Sequence, residues 1–154
     1  AFAADYQIQF VGKIAPEVRD CLEEYQIKNS RDIGYVSHQE VAKYQQKSQV
    51  LLLAVNNVKS AKGVITGKIF EYLQAKRPIL AIGPTNGDLA EILKETNSGI
   101  IVNFNDVANL KKEILQLYTS FIKGNLESNS SSIEQYHRRN LTEKLANIIK
   151  EIVS

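Results

Sequence analysis

Residues 63–99 read GVITGKIFEYLQAKRPILAIGPTNGDLAEILKETNSG. A glycine-punctuated loop opens a helical segment that carries Glu71 one turn in. Pro78 then starts an apolar strand, and a second glycine-rich loop opens another helical segment. Helix N-termini present free backbone N–H groups and the positive end of the helix dipole. Two strand-to-helix junctions of this kind therefore indicate a site for a phosphorylated ligand.

The same alternation of apolar strand and amphipathic helix runs through the rest of the chain. The strand-like runs are short and nearly continuously apolar, which is typical of strands buried on both faces. Strand alternating with helix predicts βαβ units, with right-handed crossovers that place helices on both faces. We therefore predict the α/β class: a Rossmann-like three-layer αβα domain with a mostly parallel sheet. Strands are expected at Ile8–Val11, Ile33–Val36, Val50–Val55, Ile79–Ile82 and Ile100–Val102.

Start and stop signals place the helices between these strands. Pro16 suits the first turn of one helix, and Ser37 with Glu40 forms a capping box for the next. Asp106 can cap a later helix. A polar linker over 124–132 precedes the last helix, and the whole chain, 1–154, is expected to form one domain. The other helices are expected over His38–Lys47, Gly67–Lys76, Asp88–Thr96 and Ile133–Val153.

Composition limits the classes of function. The chain has 154 residues, is 44% hydrophobic and carries a formal net charge of +2. So small and dispersed a charge argues against a nucleic-acid partner. No apolar run approaches the roughly 18 residues that span a bilayer. A single cysteine favours a reducing, cytoplasmic location, and the absence of methionine suggests a piece cut from a longer protein.

Several familiar sites are excluded by spacing. Gly63 and Gly67 are separated by three residues where a P-loop needs four, and Ile69 stands where the hydroxyl belongs. Gly12 alone does not make a dinucleotide fingerprint. The two histidines are isolated, so no metal site is expected. Cys21 lies on an apolar helical face and is expected to be buried.

The segment Thr66–Glu71 remains as the candidate binding site. The N–H groups of Thr66, Gly67 and Lys68, with the lysine ammonium, can hold a diphosphate. Glu71 lies over the same helix end, where a carboxylate accepts hydrogen bonds from vicinal hydroxyls. This combination suits the diphosphate and ribose of a nucleotide. On physical grounds an equal alternative is that Glu71 only stabilises the helix dipole from the first turn.

The run from Lys68 to Ala81, followed by Gly83-Pro84, Gly87-Asp88 and Ser98-Gly99, resembles the donor domain of GT-B glycosyltransferases, family 4 or group 1. Further likenesses are Gly34–Ser37 before Glu40 and the closing run from Tyr136 to Leu145. The resemblance covers roughly residues 8 to 150. It implies a hexosyltransferase of polysaccharide biosynthesis that uses a nucleotide-sugar donor, UDP- or GDP-linked, with no cofactor and no metal.

The resemblance also implies roles for individual residues. Glu71 matches the family glutamate that bonds the ribose hydroxyls, and Thr66, Gly67 and Lys68 match the loop beside the diphosphate. Val36 matches the turn that meets the base. Gly83, Gly87 and Asp88 match the second loop of the donor pocket. Gly63 stands where the first glutamate of the family's E-x7-E motif would fall, so no residue is assigned to the donor sugar or to catalysis.

The resemblance implies further parts that this sequence does not contain. One is a strand before position 8 with a basic diphosphate-binding pair, and the other is an N-terminal domain that binds the acceptor, a glycan or a lipid-linked sugar. These residues alone are therefore expected to be inactive. The full-length enzyme is expected to be cytoplasmic, with a membrane-peripheral location as an option.

Two other interpretations stay open. A non-catalytic, flavodoxin-like regulatory or interaction domain would share the fold, but Gly12-Lys13 after the first strand replaces the acidic cluster of a signalling receiver. Alternatively, the last helix could lie on an anionic membrane surface, with basic residues at the lipid headgroups and leucine and isoleucine side chains inserted. Protein packing explains the same apolar face more simply.

Overall fold

The computed structural model describes residues 2–153, so Ala1 and Ser154, the ends of the predicted domain, lie outside the described residues. Helices and strands alternate, and every strand pairing is parallel, which confirms the α/β, Rossmann-like prediction. The strands are β1 (Ile8–Val11), β2 (Ser30–Gly34), β3 (Leu51–Ala54), β4 (Ile79–Ile82) and β5 (Gly99–Val102). The helices are α1 (Phe2–Asp5), α2 (Pro16–Glu24), α3 (His38–Lys47), α4 (Lys68–Ala75), α5 (Asp88–Thr96), α6 (Val107–Ile122) and α7 (Arg138–Val153).

The five strands form two sheets rather than the single sheet expected. β1 pairs with β2, and a separate sheet has the order β3-β4-β5. In the three-stranded sheet Leu51 lies opposite Ile79, which lies opposite Gly99. Because β1 and β3 are not paired with each other, each has one backbone edge without a strand partner among residues 2–153. The parallel arrangement still brings the carboxyl ends of β3 and β4 to one edge.

β3, α4 and β5 differ from their predicted bounds by one residue at one or both ends, and two predicted elements differ by more. β2 ends at Gly34, whose φ of +75° turns the chain out of the strand, so the predicted strand Ile33–Val36 is shifted and Val36 lies beyond its end. The helix predicted over Ile133–Val153 is divided. A 3₁₀ turn, Ile133–Tyr136, is followed by His137 in an extended conformation (ψ 139°), and α7 begins only after it.

The helix ends follow their sequence signals closely. Ser37 accepts from the Glu40 N–H while the Glu40 carboxylate accepts from the Ser37 N–H, which is the predicted capping box. The hydrogen bond from the Ser37 hydroxyl lowers the pKa of Glu40. Asp106 accepts from the Asn109 N–H at 3.0 Å and caps α6. Lys76 adopts a left-handed conformation and ends α4.

The hydrophobic core is formed by residues between Leu51 and Ile133. Its buried cluster takes residues from β3, β4, α4 and α5, together with Ile133 from the 3₁₀ turn. Residues 2–50 include none that is buried. The prediction of a buried Cys21 is therefore wrong: Cys21 is exposed, and α2 as a whole has no buried residue. The largest fully buried side chains are Ile69, Leu73, Ile79, Leu93, Val102 and Thr96.

Candidate functional site

The loop after β3 leads into a single 3₁₀ turn, Ala61–Gly63, and then into α4. Two apolar side chains of α4, Ile69 and Leu73, are 0% and 1% exposed, so they fix the rotation of the helix against the sheet. That rotation leaves Lys68 exposed and Glu71 half-buried at the first turn. The predicted diphosphate and ribose residues thus lie on one helix end that the core holds in place.

The N-terminus of α4 has backbone N–H groups that donate to no backbone carbonyl in the part of the chain that the structure describes. Gly67, its N-cap, contributes no side chain, and the N–H groups of Gly67 and Lys68 donate to no backbone carbonyl among residues 2–153. The Thr66 hydroxyl oxygen is buried and has no hydrogen-bond partner there. A buried hydroxyl without a partner costs roughly 1–3 kcal/mol. The segment therefore has unsatisfied hydrogen-bonding capacity at the end where the helix dipole is positive.

The carboxylate of Glu71 is held from a neighbouring helix. Gln45 on α3 donates from Nε2 to Glu71 Oε2 at 2.9 Å, in a half-buried contact. The next residue, Tyr72, donates to the carbonyl of Leu52 at 3.2 Å and ties α4 to β3. Burial, and the adjacent Glu71 charge, raise the pKa of Tyr72. Glu71 is thus fixed by its neighbours rather than free in solvent.

The second predicted loop, 83–88, lies beside the first. The Gly83 N–H donates to the Val102 carbonyl at 2.9 Å and continues the sheet pairing. Gly87 is the N-cap of α5 and is buried against Lys62, in the loop that leads to α4. A Cβ at Gly87 would lie 2.6 Å from the Lys62 carbonyl oxygen. This close approach brings the N-terminus of α5, including the exposed Asp88, next to the loop before α4.

Val36 is the predicted residue that belongs to a different sheet. It follows β2, and the structure gives it no hydrogen bond to the groups around α4. The connection between the two parts is α3, which begins just after Val36 and reaches Glu71 through Gln45. Of the predicted residues, Thr66, Gly67, Lys68 and Glu71 lie at the N-terminus of α4, and the contact of Gly87 with Lys62 places Gly83, Gly87 and Asp88 on the loop next to the turn that precedes it. Val36 lies apart from them, after β2.

Positive charge borders the site. Lys59 and Lys62, between β3 and α4, and Lys68, the first residue of α4, are all exposed. Among residues 2–153 no group of three or more His, Cys, Asp or Glu side chains is arranged to hold a metal ion. Two surface grooves, one along α6 and one lined by residues of α2 and β1, contain none of the predicted site residues. We call the candidate site the shelf; it comprises Gln45, Lys62, Thr66–Glu71 and Gly83–Asp88. It offers N–H donors, ammonium groups and the carboxylate of Glu71, which Gln45 holds.

Two residues of this shelf were not predicted from the sequence. Gln45 is 26 positions from Glu71, and no motif marks it. Lys62 is recognisable only through its contact with Gly87. Its sequence signal is faint: a lysine close to two glycines in a loop after a strand.

Within residues 2–153 no helix has the length and apolar character to cross a membrane. α7 is amphipathic, and none of its residues is buried.

Comparison with known proteins identifies one family. Residues 2–120, more than half of the chain, match the model of the family described as "Glycosyl transferases group 1". The match includes every predicted site residue and ends within α6, so the likeness suggested for Tyr136 to Leu145 lies outside it. No curated protein matches the chain.

Proposed function

The chain belongs to group 1 of the glycosyl transferases, and from that premise we propose that the shelf formed by α4 and the second loop binds the nucleotide-diphosphate part of a sugar donor. The observation that carries this proposal is the N-terminus of α4, where free N–H groups lie one turn from a fixed carboxylate, with the N-terminus of α5 packed against the turn that precedes it. Free N–H groups and Lys68 suit the diphosphate, while Glu71 suits the ribose hydroxyls.

The unpartnered Thr66 hydroxyl supports the same proposal. Thr66 directly precedes Gly67 and Lys68, whose N–H groups are proposed to hold the phosphate. If a phosphate oxygen accepted from this hydroxyl, the cost of an unsatisfied buried group would be removed. In transfer, donors fixed in this way would position the sugar and stabilise the charge that develops on the departing diphosphate.

We propose UDP or GDP as the nucleotide, with Val36 at the base, and a glycan or lipid-linked sugar as acceptor. The acceptor side of the site is assigned to a second domain. On this view these 154 residues do not transfer sugar alone. Measurable turnover by the purified protein would contradict that part of the proposal.

Backbone amide NMR during titration with UDP, GDP and NAD tests the proposal. Binding is expected to be weak, and a Kd of about 1 mM corresponds to about −4.1 kcal/mol. We expect shifts at Val36, Thr66–Glu71 and Gly83–Asp88 with one nucleoside diphosphate and not with NAD. Millimolar UDP and GDP that shift none of these amides would overturn the proposal.

A pair of variants separates the ribose role of Glu71 from a dipole-stabilising role. Glu71→Ala is expected to weaken nucleotide binding severalfold. Glu17→Ala removes another first-turn glutamate, on α2, and is expected to leave binding unchanged. Equal effects of the two substitutions would assign Glu71 to the helix dipole alone.

A further inference from the structure

The contact between α3 and α4 places a neutral donor on the carboxylate that we assign to ribose. Gln45 Nε2 lies 2.9 Å from Glu71 Oε2, and both side chains are half-buried. A second bond lies nearby: Arg77, two residues beyond the end of α4, donates from Nε to the Gln46 carbonyl of α3 at 2.7 Å. The two bonds hold Gln45 and Glu71 in a fixed relation.

The geometry of this bond leaves part of the carboxylate available. An ionised carboxylate has two oxygens with about four lone-pair sites, and Gln45 occupies one of them. Oε1 accepts no hydrogen bond from residues 2–153, so it is the oxygen available to a ligand. Hydrogen bonds to a charged acceptor are stronger than neutral ones, so this bond restricts the rotation of the Glu71 side chain.

We propose that Gln45 is a positioning residue: it fixes Glu71 so that the free carboxylate oxygen is directed at the ribose hydroxyls. The inference rests on the proposed function and extends it to a residue on another element. A diol can be recognised by a carboxylate only when the orientation of the carboxylate is set. Without Gln45, part of the binding free energy would go into ordering Glu71.

The opposite role makes the opposite prediction. If Gln45 instead holds Glu71 away from the ligand, its removal frees the carboxylate and strengthens binding. The sign of the change in affinity therefore distinguishes a positioning residue from a restraining one.

The test measures the affinity of the whole 154-residue chain for UDP and GDP and for their 2′-deoxy counterparts by NMR titration. Gln45→Ala removes the donor, and Gln45→Glu keeps the side-chain length but replaces the donor with a second carboxylate that repels Glu71. Gln46→Ala is the matched control, because its side chain is exposed on the same helix. Amide spectra with unchanged dispersion identify the variants that keep the fold.

We expect Gln45→Ala and Gln45→Glu to weaken binding of the ribonucleotide about fivefold. The ratio of the affinity for the ribonucleotide to the affinity for the 2′-deoxy form should also fall. Gln46→Ala is expected to change neither the affinity nor this ratio. In a Glu71→Ala background, Gln45→Ala is expected to have no further effect. A purely structural role for Gln45 would weaken both nucleotides equally. That result, or stronger binding by Gln45→Ala, overturns the positioning role alone. A wild-type chain that binds no nucleotide overturns the proposed function, and the positioning role with it.

Discussion

At the residue scale, Gly99 is a position where the backbone of a neighbouring strand leaves no room for a side chain. It begins β5, and a Cβ placed there would lie 2.0 Å from the carbonyl oxygen of Ile79 and 2.7 Å from its carbon. Gly99→Ala must therefore push β5 away from β4, and overpacking of this kind costs typically 1–3 kcal/mol, and here we expect at least about 2 kcal/mol. Urea denaturation of the variant and the wild-type protein measures the loss.

Gly63 provides the control for that substitution. A Cβ at Gly63 would meet nothing within 4 Å, and its φ does not lie in the left-handed region. Gly63→Ala is expected to change the free energy of unfolding by less than about 0.5 kcal/mol. A Gly99→Ala variant as stable as Gly63→Ala would show that the close contact between β4 and β5 is absent in solution.

Residue-level predictions from sequence succeed where the signal is local. The Ser37–Glu40 capping box depends on two residues three positions apart, and the structure forms it. The contact between Gln45 and Glu71 depends on how two helices pack, and no local pattern encodes it. The prediction for Cys21 was wrong for a related reason. An apolar helical face becomes buried only when another element covers it, and no residue of α2 is buried.

At the element scale, the 3₁₀ turn Ile133–Tyr136 is tied to α5 by a titratable bond. Tyr136 donates to the Glu95 carboxylate at 2.6 Å, and its ring packs against Phe70. Burial, followed by that hydrogen bond, raises the pKa of Tyr136 from 10.0 to about 12. Since the folded pKa is the higher one, this stabilisation is complete below pH 10 and is lost as the pH rises toward about 12.

Tyr136→Phe is therefore expected to change how stability depends on pH. At pH 8 the variant should be less stable than the wild-type protein, and the difference should shrink between about pH 10 and 12, because only the wild-type protein loses this term. Urea denaturation over pH 8–11.5 measures it, with the exposed Tyr25→Phe as control. A stability difference that stays constant with pH would contradict the role of the Tyr136–Glu95 bond.

The division of the C-terminal segment predicts two different truncations. Ile133 is 8% exposed and belongs to the core cluster, whereas no residue of α7 is buried. A variant ending at His137 should keep the free energy of unfolding within about 0.5 kcal/mol. A variant ending at Ser132 also loses Ile133 and should lose at least about 2 kcal/mol. Thermal and urea unfolding compare the two variants. Equal stability would show that the 3₁₀ turn contributes nothing to the free energy of unfolding.

Element bounds show the same limit of local reasoning. The helices His38–Lys47 and Asp88–Thr96 match their predicted bounds. The first has a side-chain cap at Ser37 that agrees with its apolar period, and the second begins after Gly87 and ends before Asn97, which has a left-handed conformation. The last helix does not match its predicted bounds, because the apolar pattern continues through His137 while the backbone there becomes extended. In that segment the tertiary contacts of Ile133 and Tyr136 override the helical period.

At the scale of the whole molecule, alternation of helix and strand was enough to predict a parallel α/β fold, but not the order of the strands. Periodicity reports that β1 and β3 are strands. It does not report that they leave each other unpaired and so divide the structure into two sheets. The candidate site lies mostly beside the three-stranded sheet, whereas Val36, which the sequence resemblance groups with it, follows β2 of the other sheet. Local periodicity does not report this difference.

The uneven distribution of the core predicts uneven local stability. β4 is paired on both sides, and Ile79 and Ala81 are 1% and 0% exposed. β1 and β2 form a two-stranded sheet, and no residue from 2 to 50 is buried. Segments with few buried contacts open at lower free energy than the core. In native-state hydrogen exchange, the amides of β1 and β2 should therefore exchange at least about tenfold faster than those of β4, a difference of about 1.4 kcal/mol. Equal protection of the two sheets would mean that they unfold as one cooperative unit. It would contradict the prediction that β1 and β2 open at a lower free energy than β4.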